Sequence, residues 1–88
     1  MARTIFEGRV QRLYSDEEWT RIRLDIPPAD QPEENYFVLR RAHENYNALF
    51  SLALSAAING NALTVRTYSA IDKGEEGIIR WMVVDWDT

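Results

Sequence analysis

The period of the apolar residues changes near the middle of the chain, within residues 47–68. Up to position 59 the stretch is rich in leucine and alanine, which are strong helix formers, and no proline interrupts it. Gly60 follows, a residue that readily adopts the left-handed conformation in which many helices end. Apolar and polar residues then alternate, which is the period of a strand. The pattern predicts a helix over 44–59, with Glu44 in its first turn, and a strand over 62–69.

Alternating patterns elsewhere predict four further strands, over 4–14, 19–26, 36–41 and 78–86. Gly8 is expected to mark a bulge or a sharp bend in the first strand, and Pro27-Pro28 end the second. Three strands, one helix and two strands match an OB-fold, a five-stranded Greek-key barrel. A ferredoxin-like fold would need two helices, and an SH3-like barrel lacks a long one. The sequence therefore predicts a mainly β, single-domain chain over 1–88.

The predicted helix is apolar around most of its circumference. No charged residue occurs between Glu44 and Arg66, whereas a surface helix normally shows a broad charged face. A chain of 88 residues rarely encloses a helix completely, so burial against a partner is favoured over burial inside a monomer. The helix residues expected to face a partner are Phe50, Leu54 and Ile58. The polar residues form one narrow stripe, at Asn47, Ser51, Ser55 and Asn59.

The last predicted strand is apolar on both faces. One face carries Ile78, Met82, Val84 and Trp86, and the other carries Ile79, Trp81 and Val83. An antiparallel strand with one solvated face should be polar on that face. We therefore expect Trp81 and Val83 to meet a partner, and Trp86 to anchor the core or an interface.

Two segments resemble the B subunits of pertussis-like and subtilase-type bacterial toxins. They are the run YNALFSLALSAAINGNALTVRTY, in which a helix leads directly into a strand, and the closing run GIIRWMVVDW. The resemblance covers about the C-terminal half of the chain. It implies an OB-fold that assembles as a homopentameric ring, with the helices and their polar stripe around a central channel. It also implies carbohydrate binding, because those subunits attach to cell-surface glycans. They carry a disulfide, which this cysteine-free chain cannot form.

Composition narrows the classes of function. Hydrophobic residues make up 45% of the chain and charged residues 27%, which is typical of one globular domain. No apolar run has the length of a membrane span, so no membrane insertion is expected. The N-terminal MARTIFEGRV lacks the apolar stretch of a signal peptide, which predicts a cytoplasmic location, with a secreted mature form as the alternative. The absence of cysteine excludes disulfides and thiolate metal sites.

The net charge of −4 is unevenly distributed. Carboxylates crowd into three predicted loops, at 16–18, 30–34 and 72–76, whereas most of the nine arginines lie in predicted strands. Arginine suits partly buried, bidentate pairing. An arginine-rich sheet face could meet carboxylates of another subunit or an anionic ligand. The alternative is that the acidic loops give solubility and the arginines form cross-strand pairs.

Candidate ligand-binding residues are Trp19, Arg21 and Tyr68. An aromatic ring beside planar polar groups is typical of glycan sites, although cross-strand packing and a place at the barrel rim are alternative roles for the two aromatic residues. His43, the single histidine, is expected to cap the helix or lie at the surface. No catalytic set, metal cluster or phosphate-binding glycine loop occurs. The sequence thus predicts a non-enzymatic protein without cofactor or metal.

Nucleic acid is an alternative ligand, because OB-folds often bind single strands through aromatic and basic residues. The residues available for it are Trp19, Arg21, Arg23 and Arg40. The acidic loops at 16–18 and 72–76 would repel phosphate, which disfavours this role. The sequence therefore favours a self-assembling module that binds carbohydrate. An oligomeric scaffold for a protein partner and a single-stranded nucleic-acid-binding domain remain the alternatives.

Overall fold

Five strands and one α-helix form the structure, a computed structural model that describes residues 2–84. The strands are β1 (Arg3–Ser15), β2 (Trp19–Leu24), β3 (Phe37–Arg40), β4 (Ala62–Ile71) and β5 (Gly77–Val84), and the helix α1 is Tyr46–Asn59. Two single turns of 3-10 helix, Pro28–Asp30 and Glu33–Asn35, lie between β2 and β3. The predicted mainly β fold with its helix between the third and fourth strands is confirmed.

The strand pairings close on themselves because β1 pairs with two partners. Its first half, from Arg3 to Arg9, is antiparallel to β4, and its second half, from Val10 to Ser15, is antiparallel to β2. The order is β1-β2-β3-β5-β4, a closed barrel. β3 and β5 are parallel and pair only at Phe37–Gly77 and Val38–Ile78.

Gly8 lies close to the point where β1 changes partner. It stays in register with Leu63, and the register shifts of β1 fall between Arg3 and Ile5 and between Val10 and Arg12. Of the two features expected at Gly8, a bulge or a sharp bend, the bulge is therefore not found there. A Cβ atom on Gly8 would lie 2.7 Å from the carbonyl oxygen of Asp25. The glycine is therefore needed for the close approach of two backbones.

The core lies inside the barrel and under the helix. Leu49, Ala53 and Ala56 of α1 are buried against it, and the two alanines let the helix approach the strands closely. The buried strand residues of this core are Phe6, Ile22, Leu24, Phe37, Leu39, Leu63, Val65, Ile71, Ile79, Met82 and Val84. None of the helices within residues 2–84 has the length and apolar character needed to cross a membrane.

The helix begins two residues later than predicted, at Tyr46, because residues 41–45 form turns. Glu44 consequently lies before the helix and not in its first turn. The predicted C-terminus is confirmed, since Gly60 adopts a left-handed φ of 69° and its N–H donates to the carbonyl of Ala56. β2 also ends early, at Leu24, because the chain turns there and the N–H of Ile26 donates to the carbonyl of Leu24 at 3.0 Å.

The alternation predicted for the last strand is wrong at Ile79. Thr67 pairs with Ile79 while Arg66 pairs with Trp81, so Arg80 is an extra residue in β5. This bulge reverses the phase of the strand, and Ile79 is buried in the core while Ile78 is half-buried on the outer face. Trp81 and Val83 keep their predicted outward positions. The predicted end of the strand, with Trp86, lies outside the described residues.

Candidate functional site

A recess of about 270 Å³ opens on the outer face of β2 and β3. The strand alternation that buries Thr20 and Ile22 turns Trp19 and Arg21 outward, and cross-strand pairing sets Arg21 beside Val38. We call this recess the Trp19 recess. Its lining residues are Trp19, Arg21, Glu33, Glu34, Tyr36, Val38 and Glu76.

Two loops distant in sequence form the acidic rim of the Trp19 recess. The N–H of Gly74 donates to the carbonyl of Gln31 at 3.0 Å, and the N–H of Glu33 donates to the carbonyl of Glu75 at 2.8 Å. These bonds join the β2–β3 loop to the β4–β5 loop and bring Glu33 near Glu76. The Gln31 side chain is buried and donates to the carbonyls of Leu24 and Ile26, both at 3.2 Å, which fixes the first loop on the barrel.

Among the described residues, Arg21 is the only cation that lines the Trp19 recess, and three carboxylates line it as well. Its Nη1 lies 3.2 Å from Oε2 of Glu34, and its guanidinium carbon lies 5.6 Å from the Trp19 ring centroid. Its Nε is buried without a hydrogen-bond partner among the described residues. The recess thus offers a flat aromatic surface, guanidinium donors and an excess of carboxylate acceptors.

The loop before Trp19 is held by Asp16. Its Oδ1 accepts hydrogen bonds from the N–H groups of Glu18 at 3.0 Å and Trp19 at 3.1 Å. These two bonds lower the pKa of the Asp16 carboxyl below its ordinary value of 3.8, because they favour the ionised form. The aromatic residue is therefore positioned from both sides, by this carboxylate and by the β2–β3 pairing.

Tyr68, the third predicted ligand residue, lies in a separate recess of about 190 Å³. We call it the Tyr68 recess. Its lining residues are Arg40, Ala42, His43, Tyr68, Ile78 and Ile79. The structure thus brings Trp19 and Arg21 together and separates them from Tyr68. Tyr36, Glu34 and Glu76 are lining residues that sequence reasoning missed, because loop contacts and not strand alternation place the two glutamates there.

His43 is a structural residue beside the Tyr68 recess. Its Nδ1 accepts the N–H of Asn45 at 3.0 Å, so Nε2 carries the proton that is donated to the carbonyl of Arg80 at 2.8 Å. The ring therefore joins Asn45, the N-cap of α1, to the bulge in β5. Its centroid lies 6.5 Å from that of Tyr68. The N-cap of α1 is Asn45, without a side-chain capping bond, so His43 fixes the turn before the helix and the expectation that it caps the helix is wrong.

The residues predicted for an oligomer interface differ in exposure. Ile58 is 74% exposed, and Leu54 and Val83 are each 40% exposed. Phe50 is half-buried and stacks on Tyr46 at 6.0 Å, so it serves the packing of α1 within the chain. Trp81 is half-buried, with the guanidinium of Arg66 5.7 Å from its ring centroid.

The polar stripe of α1 is not separate from its exposed apolar residues. Asn47, Ser51 and Asn59 are exposed, whereas Ser55 is half-buried and its carbonyl accepts the Asn59 amide at 2.9 Å. Positions 47, 51, 54 and 58 follow helical spacing along one face. The outer face of α1 therefore presents polar and apolar side chains together, including the predicted interface residues Leu54 and Ile58.

Three hydroxyl groups join α1 to the β1–β2 hairpin. Thr20 is completely buried, and its Oγ1 lies 2.6 Å from the Tyr46 hydroxyl and 2.8 Å from Oγ of Ser15. Burial opposes ionisation of Tyr46, but the hydrogen bonds with Ser15 and Thr20 and the charge of Arg41 outweigh it and lower the pKa of the phenol below 10.0. This cluster is a structural connection, since it lies apart from both recesses.

Comparison with protein-family models, curated proteins and solved structures gives no match. Within residues 2–84, histidine and carboxylate side chains form no cluster of three that could hold a metal ion. What the chain can bind therefore has to follow from the residues that line its two recesses.

Proposed function

We propose that this chain is an OB-fold module whose Trp19 recess binds a neutral carbohydrate without catalysing its conversion. The OB-fold assignment is supported by the pairing order β1-β2-β3-β5-β4 and by the helix between β3 and β4. OB-folds use the face of strands 2 and 3, with the loops β1–β2 and β4–β5, to bind oligosaccharides and oligonucleotides. The Trp19 recess lies on that face and contacts the second of these loops through Glu76.

The observation that carries the proposal is the combination of one indole ring, one guanidinium and three carboxylates in a single recess. The apolar C–H face of a pyranose packs on a flat aromatic ring. Its hydroxyl groups donate to carboxylate oxygens and accept from the N–H groups of the Arg21 guanidinium. A few convergent polar groups around an apolar surface are typical of small-ligand sites.

The charge of the Trp19 recess argues against a single-stranded nucleic acid. Three carboxylates against one guanidinium give the lining a net charge of −2, and Arg21 is already paired with Glu34. Phosphate groups need a surplus of cations, since their affinity comes largely from charge neutralisation. A neutral ligand that offers hydroxyl donors fits the carboxylates better.

We further propose that several copies assemble as a ring, as the resemblance to toxin B subunits implies, with five as the expected number. Leu54 and Ile58 on α1 and Val83 on β5 are exposed apolar residues that support burial against another copy. A ring would present several weak sites together and raise the avidity for a surface bearing many glycans. The same residues favour the second candidate function, an oligomeric scaffold that holds a protein partner.

A glycan array tests the proposed function, with the wild-type chain and Trp19→Ala compared under identical conditions. We expect binding to neutral glycans by the wild type and its loss in Trp19→Ala. Trp81→Ala is the matched control, because it removes the same ring from outside both recesses, and circular dichroism verifies the fold of each variant. Absence of glycan binding by the wild type would overturn the proposal, and binding to a single-stranded DNA probe in its place would favour the nucleic-acid alternative.

A further inference from the structure

We propose that the Tyr68 recess is a second subsite for the same ligand, so that the preferred ligand is an oligosaccharide that spans both recesses. This inference rests on the proposed function. It adds the length of the preferred ligand to its chemical class. Residues of the two recesses are cross-strand neighbours. Arg40, which lines the Tyr68 recess, pairs with Trp19, and Ile78, which also lines it, pairs with Val38 of the Trp19 recess.

The spacing of the two aromatic residues exceeds one sugar ring. Trp19 is on β2 and Tyr68 is on β4, and β3 and β5 lie between these strands. Three inter-strand spacings amount to a path of roughly 14 Å along the curved outer surface of the barrel. One monosaccharide can therefore contact one of the two rings, whereas a chain of two or more residues can contact both.

The Tyr68 recess has the chemistry of an aromatic subsite. Tyr68 is 57% exposed, so its ring is available to a ligand, and half-buried Ile78 extends the apolar surface. Arg40 adds guanidinium donors for ring or hydroxyl oxygens. Both ring nitrogens of His43 are engaged by backbone groups, so this side chain contributes a wall and no further hydrogen bond.

The two recesses differ in charge, so a bound oligosaccharide has a preferred orientation across them. The Trp19 recess has three carboxylates, whereas within residues 2–84 no carboxylate lines the Tyr68 recess, and its charged residue is Arg40. Hydroxyl donors are best satisfied at the Trp19 end and acceptor oxygens at the Tyr68 end. The Trp19 recess is the larger and more polar of the two and supplies the primary subsite.

A comparison of ligand lengths tests the second subsite. The probes are the neutral oligosaccharide bound most tightly on the array and its own constituent monosaccharides, titrated by calorimetry into wild type, Tyr68→Ala and Tyr68→Phe. We expect Tyr68→Ala to weaken oligosaccharide binding about tenfold, as truncation of an aromatic anchor does. Monosaccharide binding should be unchanged, and Tyr68→Phe should retain most of the oligosaccharide affinity. Ile5→Ala, a truncation of an exposed apolar residue on β1 outside both recesses, is the control for nonspecific effects.

The outcomes separate this inference from the proposed function. If Tyr68→Ala weakens mono- and oligosaccharide binding equally, or weakens neither, the second subsite is refuted while the Trp19 site stands. If an oligosaccharide binds no more tightly than its best monosaccharide, the spanning ligand is likewise refuted. If no carbohydrate binds the wild type, both the proposed function and the second subsite fall.

Discussion

Replacement of Gly8 by alanine tests the geometry with which β1 passes from β4 to β2. The added Cβ would lie 2.7 Å from the Asp25 carbonyl oxygen and 2.9 Å from Cγ2 of Ile26. The first contact involves backbone, and Asp25 is held there because its N–H donates to the carbonyl of Arg9 at 2.8 Å. The strands must therefore separate, and the pairing at the end of β2 must loosen.

The magnitude for Gly8→Ala is the difference between two effects. Overpacking of a well-packed site costs about 1–3 kcal/mol. Loss of glycine freedom in the unfolded chain offsets about 0.4–1 kcal/mol of this cost. The net expectation is a destabilisation of roughly 1–2 kcal/mol, which for a domain of this size corresponds to a fall in Tm of about 5–10 °C.

Thermal and urea denaturation measure this change, with Gly60→Asn as the matched control. Gly60 has a left-handed φ of 69° and no atom within 4 Å of its added Cβ, and asparagine tolerates that conformation. The control should alter stability by less than about 0.5 kcal/mol. An unchanged or increased Tm for Gly8→Ala would refute the close approach of β1 to Asp25.

Three further predictions concern the connections around the site. Tyr46→Phe removes the hydroxyl that lies 2.6 Å from Oγ1 of buried Thr20. We expect the free energy of unfolding, measured by urea denaturation, to fall by about 0.5–1.5 kcal/mol. A loss no larger than that of the exposed control Ser51→Ala would contradict the hydroxyl cluster. The folded-state pKa of Asp16 lies below its unfolded value of 3.8, so its contribution to stability is present above pH 3.8 and is lost as the pH falls through the folded value. Asp16→Asn should lack this loss, and parallel stability–pH curves for the two proteins would show that the loop does not depend on the carboxylate. Ser55→Glu should dissociate the proposed ring by crowding like charges at the channel, as measured by light scattering; an unchanged mass near five times 10.2 kDa would exclude the channel position of α1.

The bounds of most elements could be predicted because local chemistry sets them. Gly60 ends the helix by adopting the left-handed conformation, and the alternation around Ile22 and Val65 identifies their strands before any partner is known. The start of the helix could be predicted less accurately, because the turns around His43 depend on the contact of its ring with the carbonyl of Arg80, 37 residues away.

The phase of β5 and the composition of the site could not be predicted from pattern alone. The bulge at Arg80 inserts one residue into an otherwise continuous apolar strand, and no proline or glycine at that position signals it. Glu33 and Glu76 reach one recess because backbone hydrogen bonds join two loops that are about 40 residues apart in the sequence. Strand alternation did identify Trp19 and Arg21, which lie two residues apart on the same face of β2.

The partners of the acidic loop residues could not be predicted from the pattern either. The sequence located them in loops, but it left open whether they are solvated or form part of a site. In the structure Glu34 lies at the rim of the Trp19 recess and pairs with Arg21, and Asp30 pairs with Arg3 at 2.7 Å on another part of the surface. Two acidic residues four positions apart in one loop therefore have different partners, which only the tertiary structure determines.

The most direct test of ligand binding on the β2–β3 face is a titration followed by amide and indole correlation spectra. The ¹⁵N-labelled protein is titrated with the neutral oligosaccharide that binds most tightly on the array. We expect the largest shift changes at the Trp19 indole and at the amides of Arg21 and Val38, with a second group around Tyr68. Changes confined to α1, or none at saturating ligand, would contradict carbohydrate binding at this face.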